Sequence, residues 1–293
     1  MIALVICLTG GRREKFMNRF MGKKVLVTGG TRGIGKAAAQ AFLSEGAQVV
    51  ISGSREQSIK VAMQELTGSN ISGVAGDVSV VAECERMVQF AATTMQGLDI
   101  LVNSAGVYQH SPIAETDEEV WNRIMDINVR GSYFCSRAAL PFLRQSGDSD
   151  DASAHGLSAG YESGSGSRSG SRSGSIVHLG SESGINGYAG STAYCASKGA
   201  MVNLTRSMAM ELAPAIRVNI VCPGVVDTDM AREGFAIDGD QEKGMQQQRS
   251  SYPLKRVATA GEVASAILYL SSDDARFITG ESLVMDGGAT VGK

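Results

Sequence analysis

The sequence predicts an α/β fold: a doubly wound parallel sheet of about seven strands with helices on both faces, in a single domain. Short apolar runs alternate with helix-length amphipathic stretches from Lys24 onward, the pattern of parallel strands joined by crossover helices. The first run, KVLVTGG, opens directly into TRGIGKAAAQAF, so a glycine-rich turn joins the first strand to the first helix. A chain of 293 residues can hold one large domain or two small ones. No second core is signalled.

In order, the strand candidates are residues 25–27, 48–52, 71–75, 99–103, 176–179, 217–221 and 282–285. Helices are expected over residues 34–45, 56–66, 80–95, 117–144, 193–212 and 261–270. The fourth carries a T-x-x-E capping-box signature, Thr116 with Glu119. Residues 1–21 read as an N-terminal extension. MIALVICL is too short to span a bilayer and has no cleavage pattern. The basic stretch after it leaves an organellar targeting segment open beside a disordered extension or a start at Met17 or Met21. The domain then covers residues 22–293, interrupted at 146–173 by a Gly/Ser-rich insertion containing SGSGSRSGSRSGS. Such a segment buries too little to offset its ordering entropy and is expected to be a flexible loop. Arg168 and Arg172 beside Asp148, Asp150 and Asp151 do not make an RNA-binding tract.

Hydrophobic content of 43% and charged content of 19% are those of a soluble globular protein. A net charge of −3 attracts neither nucleic acid nor an anionic membrane, so neither is expected as a partner. Five scattered cysteines without a C-x-x-C read as reduced thiols, with no zinc site and a cytoplasmic setting. His110, His155 and His178 show no triad or metal spacing.

Chemistry enters at the glycine turn. Thr28, Gly29, Thr31, Arg32, Gly33, Ile34 and Gly35 form a cradle where missing Cβ atoms and a helix N-terminus can meet a pyrophosphate. The second strand ends at Ser54-Arg55 without the acid that would read a free ribose hydroxyl. Arg32 and Arg55 can instead clamp a 2′-phosphate, which predicts NADP(H) over NAD(H); otherwise both are simply solvated. At the ends of the third and fourth strands, Asp77 and Val78 suit an adenine edge, and Asn103, Ala105 and Gly106 allow close approach of a ribose.

Tyr194 and Lys198 stand four residues apart on a helix and so share one face. Free tyrosine titrates near 10, and an ammonium about 4 Å away would lower that by up to about three units at an effective dielectric near 20. Lys198 is therefore expected to tune Tyr194 for proton transfer, with the Ser181 hydroxyl stabilising charge on a substrate oxygen. Ser183 is the rival for Ser181, and a plain helical residue is the rival reading of Asn128.

Taken together, TGGTRGIG, GDV, NSAG (where NNAG is more usual), Asn128 in MDINVRG, Ser181, YCASK, CPGVVDTDM and FITGESLVMDGG resemble the short-chain dehydrogenase/reductase family across residues 23–288. Within it the chain looks most like the 3-oxoacyl-[acyl-carrier-protein] reductases and related ketone reductases. The resemblance implies a Rossmann fold and hydride transfer between a nicotinamide and a ketone or secondary alcohol. It implies Tyr194 as acid or base, Ser181 on the substrate oxygen, Lys198 on the nicotinamide ribose and Asn128 holding a water. Pro223, Gly224, Val226 and Thr228 would line the nicotinamide. It also implies a homo-tetramer through the helices at 117–144 and 193–212. A substrate wall is expected at residues 107–115 and 182–192, and a lid at 229–253 whose Met230, Phe235, Ile237 and Met245 suit an acyl chain or another hydrophobic ketone. An acyl-thioester substrate, with an acyl carrier protein gripped by Arg144 and Arg206, is the leading reading, although Met210 stands where that subgroup often has arginine. A sugar, steroid, quinone or xenobiotic carbonyl is the alternative. A non-catalytic NADP-binding protein is the rival of another class.

Overall fold

The computed structural model describes residues 18–145 and 174–291. The proposed insertion and most of the N-terminal extension lie outside the described residues. Strands β1 (Lys24–Thr28), β2 (Gln48–Gly53), β3 (Ile71–Ala75), β4 (Ile100–Asn103), β5 (Gly174–Leu179), β6 (Ile216–Pro223) and β7 (Ser282–Met285) form one seven-stranded sheet. Every pairing is parallel, in the order β3-β2-β1-β4-β5-β6-β7. This is a Rossmann-type doubly wound sheet, with its topological switch between β1 and β4.

Helices are α1 (Gly33–Ser44), α2 (Glu56–Glu65), α3 (Val81–Met95), α4 (Glu118–Met125), α5 (Gly131–Gln145), α6 (Thr192–Leu212), α7 (Asp229–Gly234), α8 (Gln241–Ser251) and α9 (Ala260–Ser271). The inner strands β1, β2, β4, β5 and β6 are buried on both faces because helices cover both, which is why they read as continuous apolar runs. On one face Phe42, Ile59 and Ile267, from α1, α2 and α9, pack against Val25, Val27 and Ile51. On the other, Met87, Cys135 and Met208, from α3, α5 and α6, pack against Leu26, Leu101 and Val218.

Three sequence expectations change. Residues 18–21 were assigned to the extension, yet Phe20 is 1% exposed and stands edge-on to Phe42 at 4.8 Å between ring centroids. Arg19 pairs with Glu45, and the Phe20 N–H donates to the Glu45 carbonyl at 3.1 Å, so the domain begins before residue 22. The capping box at Thr116 and Glu119 does not form. Thr116 Oγ1 is taken up by the carbonyls of Ser111 and Pro112, and Asp117 caps α4 by accepting the Val120 N–H at 2.8 Å. Finally, the helix expected over 117–144 is two helices joined by a π turn, Asp126–Arg130, where the ladder widens to i→i+5. Asn128 lies inside that turn.

Candidate active site

In-register pairing brings four strand ends level: Thr28 lies opposite Asn103, Asn103 opposite His178, and Leu179 opposite Val221. The turns leaving β1, β4, β5 and β6 therefore surround one cleft of about 520 Å³, the crevice that an open parallel sheet offers at its carboxyl edge.

The glycine turn forms one wall. Gly29, at φ +65°, lies so close to the β4 turn that a Cβ there would meet the Ala105 Cα at 2.7 Å. Gly33, at φ +51°, starts α1. Gly29, Thr31, Arg32, Gly33, Ile34 and Gly35 all line the cleft beside the first N–H groups of α1. Opposite stand Ser54, Asp77, Val78, Ala105 and Gly106, with Pro223, Gly224, Val226 and Thr228 on the β6 side. A slot with glycine turn, helix N-terminus and small residues facing each other fits a dinucleotide. The Asp77 carboxylate is held in place by the N–H and hydroxyl of Ser79, at 2.9 and 2.8 Å.

Three expected cofactor contacts are placed elsewhere. Thr28 is 1% exposed, and its Oγ1 accepts the N–H groups of Ser104 and Ala105, each at 3.2 Å; it tethers the two turns. Asn103 is 2% exposed, and its Nδ2 faces Ser136 Oγ at 2.9 Å and His178 Nδ1 at 3.2 Å. Its amide is spent inside the sheet–helix layer. Arg55 is the exposed N-cap residue of α2 and is not among the residues lining the cleft, whereas Arg32 is. Of the histidines, His178 is fully buried and held neutral, its pKa lowered to about 3 by burial and then by Lys198; His110 lines the cleft, and His155 lies outside the described residues.

At the inner end of the cleft, the Ser181 hydroxyl neighbours Tyr194 and acts to lower its pKa. Ser181 is 9% exposed and caps the 3-10 turn Glu182–Gly184, its Oγ accepting the Ser183 N–H at 3.1 Å. The rival Ser183 thus contributes its main chain. Lys198 is 5% exposed, with Nζ 5.6 Å from the Tyr194 ring centroid and 2.8 Å from the Leu179 carbonyl oxygen, to which it donates. Tyr108 stands edge-on to Tyr194, centroids 5.0 Å apart, and links it to Phe235, the residue after α7, at 5.7 Å.

The electrostatics depart from the expectation. Burial pushes Tyr194 well above the usual phenol range, against the opposing effect of Ser181. Burial also lowers Lys198 to about 8. Lys198 faces a main-chain oxygen, so its charge does not overcome the desolvation of the phenol. Tyr194 is accordingly a neutral proton donor at physiological pH, and Lys198 is still mostly cationic at pH 7.

The Asn128 side chain bonds protein atoms. Its Oδ1 accepts the Val107 N–H at 2.8 Å, and its Nδ2 donates to the Val107 carbonyl at 3.0 Å and to Ser197 Oγ at 3.1 Å. Ser197 in turn donates to the Tyr194 carbonyl at 2.7 Å. The side chain clamps the substrate-wall loop to the helix bearing Tyr194 and Lys198. Ser197 and Tyr108 were not singled out from sequence, although Ser197 lies within YCASK and Tyr108 within the expected wall. Of the lid residues, Met230 and Phe235 line the cleft, while Met245 is fully buried within the lid's own core.

A nucleotide-sized slot running into a buried Ser–Tyr–Lys group defines a nicotinamide-dependent oxidoreductase. Family comparison agrees: residues 23–150 match "short chain dehydrogenase" and residues 151–290 match "Enoyl-(Acyl carrier protein) reductase". Meso-2,3-butanediol dehydrogenase of Serratia marcescens is 34% identical over 93% of this chain and 96% of its own. The 3-oxoacyl-[acyl-carrier-protein] reductase FabG of Escherichia coli is 32% identical over 92% and 98%. Among solved structures, a short-chain dehydrogenase/reductase titled glucose/ribitol dehydrogenase, from Brucella melitensis, superposes with a TM-score of 0.78 at 32% identity, over 93% of this chain and 98% of that one. The chain belongs to the short-chain dehydrogenase/reductase family. Among the described residues, no helix is long and apolar enough to cross a membrane.

Proposed function

We propose that the protein is an NADP(H)-dependent reductase of a ketone, run in reverse as a secondary-alcohol dehydrogenase, with a 3-oxoacyl thioester as the leading substrate. The observation that carries the reaction is the buried Tyr194, kept protonated beside Ser181 at the inner end of the cleft. Bound nicotinamide supplies the hydride. Tyr194 donates its phenolic proton to the carbonyl oxygen, Ser181 steadies that oxygen by hydrogen bonding, and Lys198 offsets the negative charge left on the phenolate. Asn128 and Ser197 hold the helix and the wall loop in register for this transfer. The NADP preference rests on Arg32 beside the slot and on the lack of an acid at Ser54-Arg55.

A second reading is supported by the cleft lining. Glu182, Tyr188, Ser191 and Gln248 give it a polar side, which suits a hydroxylated ketone such as a sugar or a vicinal diol. Steady-state assays with NADPH and NADH on 3-oxoacyl thioesters, acetoin-type hydroxyketones and sugars separate the readings. The thioester reading requires the highest kcat/KM among these substrates, and comparable kcat/KM with NADH removes the cofactor preference. Arg206, exposed on α6, is the candidate contact for an acyl carrier protein. Trp121, Tyr133 and Met210, exposed by 41, 43 and 85% on α4, α5 and α6, support a homo-tetramer; a monomeric mass by light scattering would refute it.

A further inference from the structure

The cleft holds a buried carboxylate that the proposed reaction does not use. Glu182 follows Ser181 directly, opens the 3-10 turn and is 6% exposed. A carboxylate so far removed from water is costly unless donors surround it. One tyrosine hydroxyl does so directly: Tyr252 Oη donates to Glu182 Oε1 at 2.7 Å, and Tyr188 lies near enough for the carboxylate to raise its pKa. The Tyr252 hydroxyl has a further partner: it accepts the main-chain N–H of Val225 at 2.8 Å.

These contacts join three segments that are far apart in sequence. Tyr252 is the residue that ends α8 in the lid, and Glu182 belongs to the loop between Ser181 and Tyr194. Val225 sits between Gly224 and Val226 on the wall assigned to the nicotinamide. The Tyr252 ring is seated against that wall, since a Cβ on Gly224 would meet it at 2.8 Å.

We propose that Glu182 is a positioning residue: through Tyr252 it ties the loop after Ser181 to the main chain at Val225, so that the hydride side and the proton side of the cleft keep one register. The inference rests on the reductase reading for what the two walls hold, not for the contacts between them. Burial and the neighbouring Glu182 push Tyr188 up to about 12 and Tyr252 higher still, so both stay hydroxyl donors across the working pH range. An apolar side chain at 182 would leave the Tyr252 hydroxyl without its acceptor, whereas glutamine would keep one.

The test uses the full chain and three variants, E182Q, E182V and Y252F, with two readouts: amide exchange at Val225 and the Kd for NADPH from its fluorescence. Y252F removes the acceptor for the Val225 N–H and is expected to speed exchange there, and to weaken NADPH binding, by about fivefold each, the worth of one hydrogen bond. The KM for NADPH should rise more than kcat falls. E182V should match or exceed this, and E182Q should fall between it and the parent. Val225 exchange and NADPH Kd within twofold of the parent in both Y252F and E182V would overturn the proposal. Should one of these fail to fold, the other decides by the same criterion. If the parent binds NADPH but reduces no ketone, the Val225 readout still discriminates, so failure of the reductase reading is distinct from failure of this one.

Discussion

Lys198 Nζ donates to the carbonyl oxygen of Leu179 at 2.8 Å, and this contact ties the reactive helix to the last residue of β5. It points the ammonium along a main-chain oxygen and leaves it buried. A buried cation with a lowered pKa makes a signed prediction. Between about pH 8 and the unfolded lysine value near 10.4, the unfolded chain binds more protons at this site than the folded one. Stability contributed by this group therefore rises with pH across that window, by about 3 kcal/mol in total. Denaturant titrations of wild type and Lys198→Met from pH 7 to 10.5 should show the difference shifting towards wild type as pH rises. A difference that stays flat refutes the assignment. Turnover should be lost in the variant at every pH.

Tyr194→Phe should remove at least about a thousandfold of kcat, because it deletes the protonated hydroxyl that serves as the acid. NADPH binding should survive within about twofold. With Tyr194 raised above the usual phenol range, ketone reduction should show no loss from phenol ionisation below pH 10. A variant with near-normal turnover would overturn the mechanism.

Arg32 lines the slot and Arg55 does not, so the two arginines proposed to clamp a 2′-phosphate should not count equally. Arg32→Ser should raise the KM for NADPH about tenfold or more while leaving NADH little changed, as expected for one charge-assisted phosphate contact. Arg55→Ser should have the smaller effect. Equal effects on both cofactors in both variants would mean that neither arginine reads the phosphate.

The strands were legible because parallel, doubly covered strands must be apolar on both faces, and Tyr194 with Lys198 because four residues on a helix make neighbours. What escaped was mostly main-chain or long-range. No pattern in the sequence shows that Lys198 finds the carbonyl of Leu179, or that Tyr252 meets Glu182 across 70 positions. Thr28 and Asn103 sit at strand ends where a ligand contact is plausible, but their side chains enter the layer below and bond protein atoms instead. Thr116 and Asp117 are both good caps, and the choice fell to a loop carbonyl that competed for the threonine hydroxyl. The π turn has no compositional mark. It is one inserted hydrogen-bond step, and it carries Asn128.

Asn128 makes the most specific structural claim of the expected catalytic residues, since its amide satisfies both main-chain groups of Val107. Asn128→Ala would leave that N–H and carbonyl, and Ser197 Oγ, short of partners, at a cost of about 2 kcal/mol. The loosened loop carries Tyr108, so the KM for the carbonyl substrate should rise along with amide exchange at Val107. Asn128→Asp keeps the acceptor for Val107 N–H but not the donor, and should fall between. Unchanged exchange at Val107 in the alanine variant would reject the clamp.

Phe20 tests where the domain begins. Its ring is 1% exposed against Phe42, within a core face shared with α1 and α9. Removing a buried phenylalanine costs about 3–5 kcal/mol when the site cannot collapse, and here Arg19, paired with Glu45, holds the segment in place. A chain begun at Met17 keeps this contact and is the reference. A chain begun at Met21 loses Phe20 and should be less stable by about 3 kcal/mol, as should Phe20→Ala in the full chain. The two should agree within about 1 kcal/mol, because both remove the same ring. If the Met21 chain is as stable as the Met17 chain, Phe20 contributes no core contact in solution, and the domain starts where the sequence alone had placed it, at residue 22.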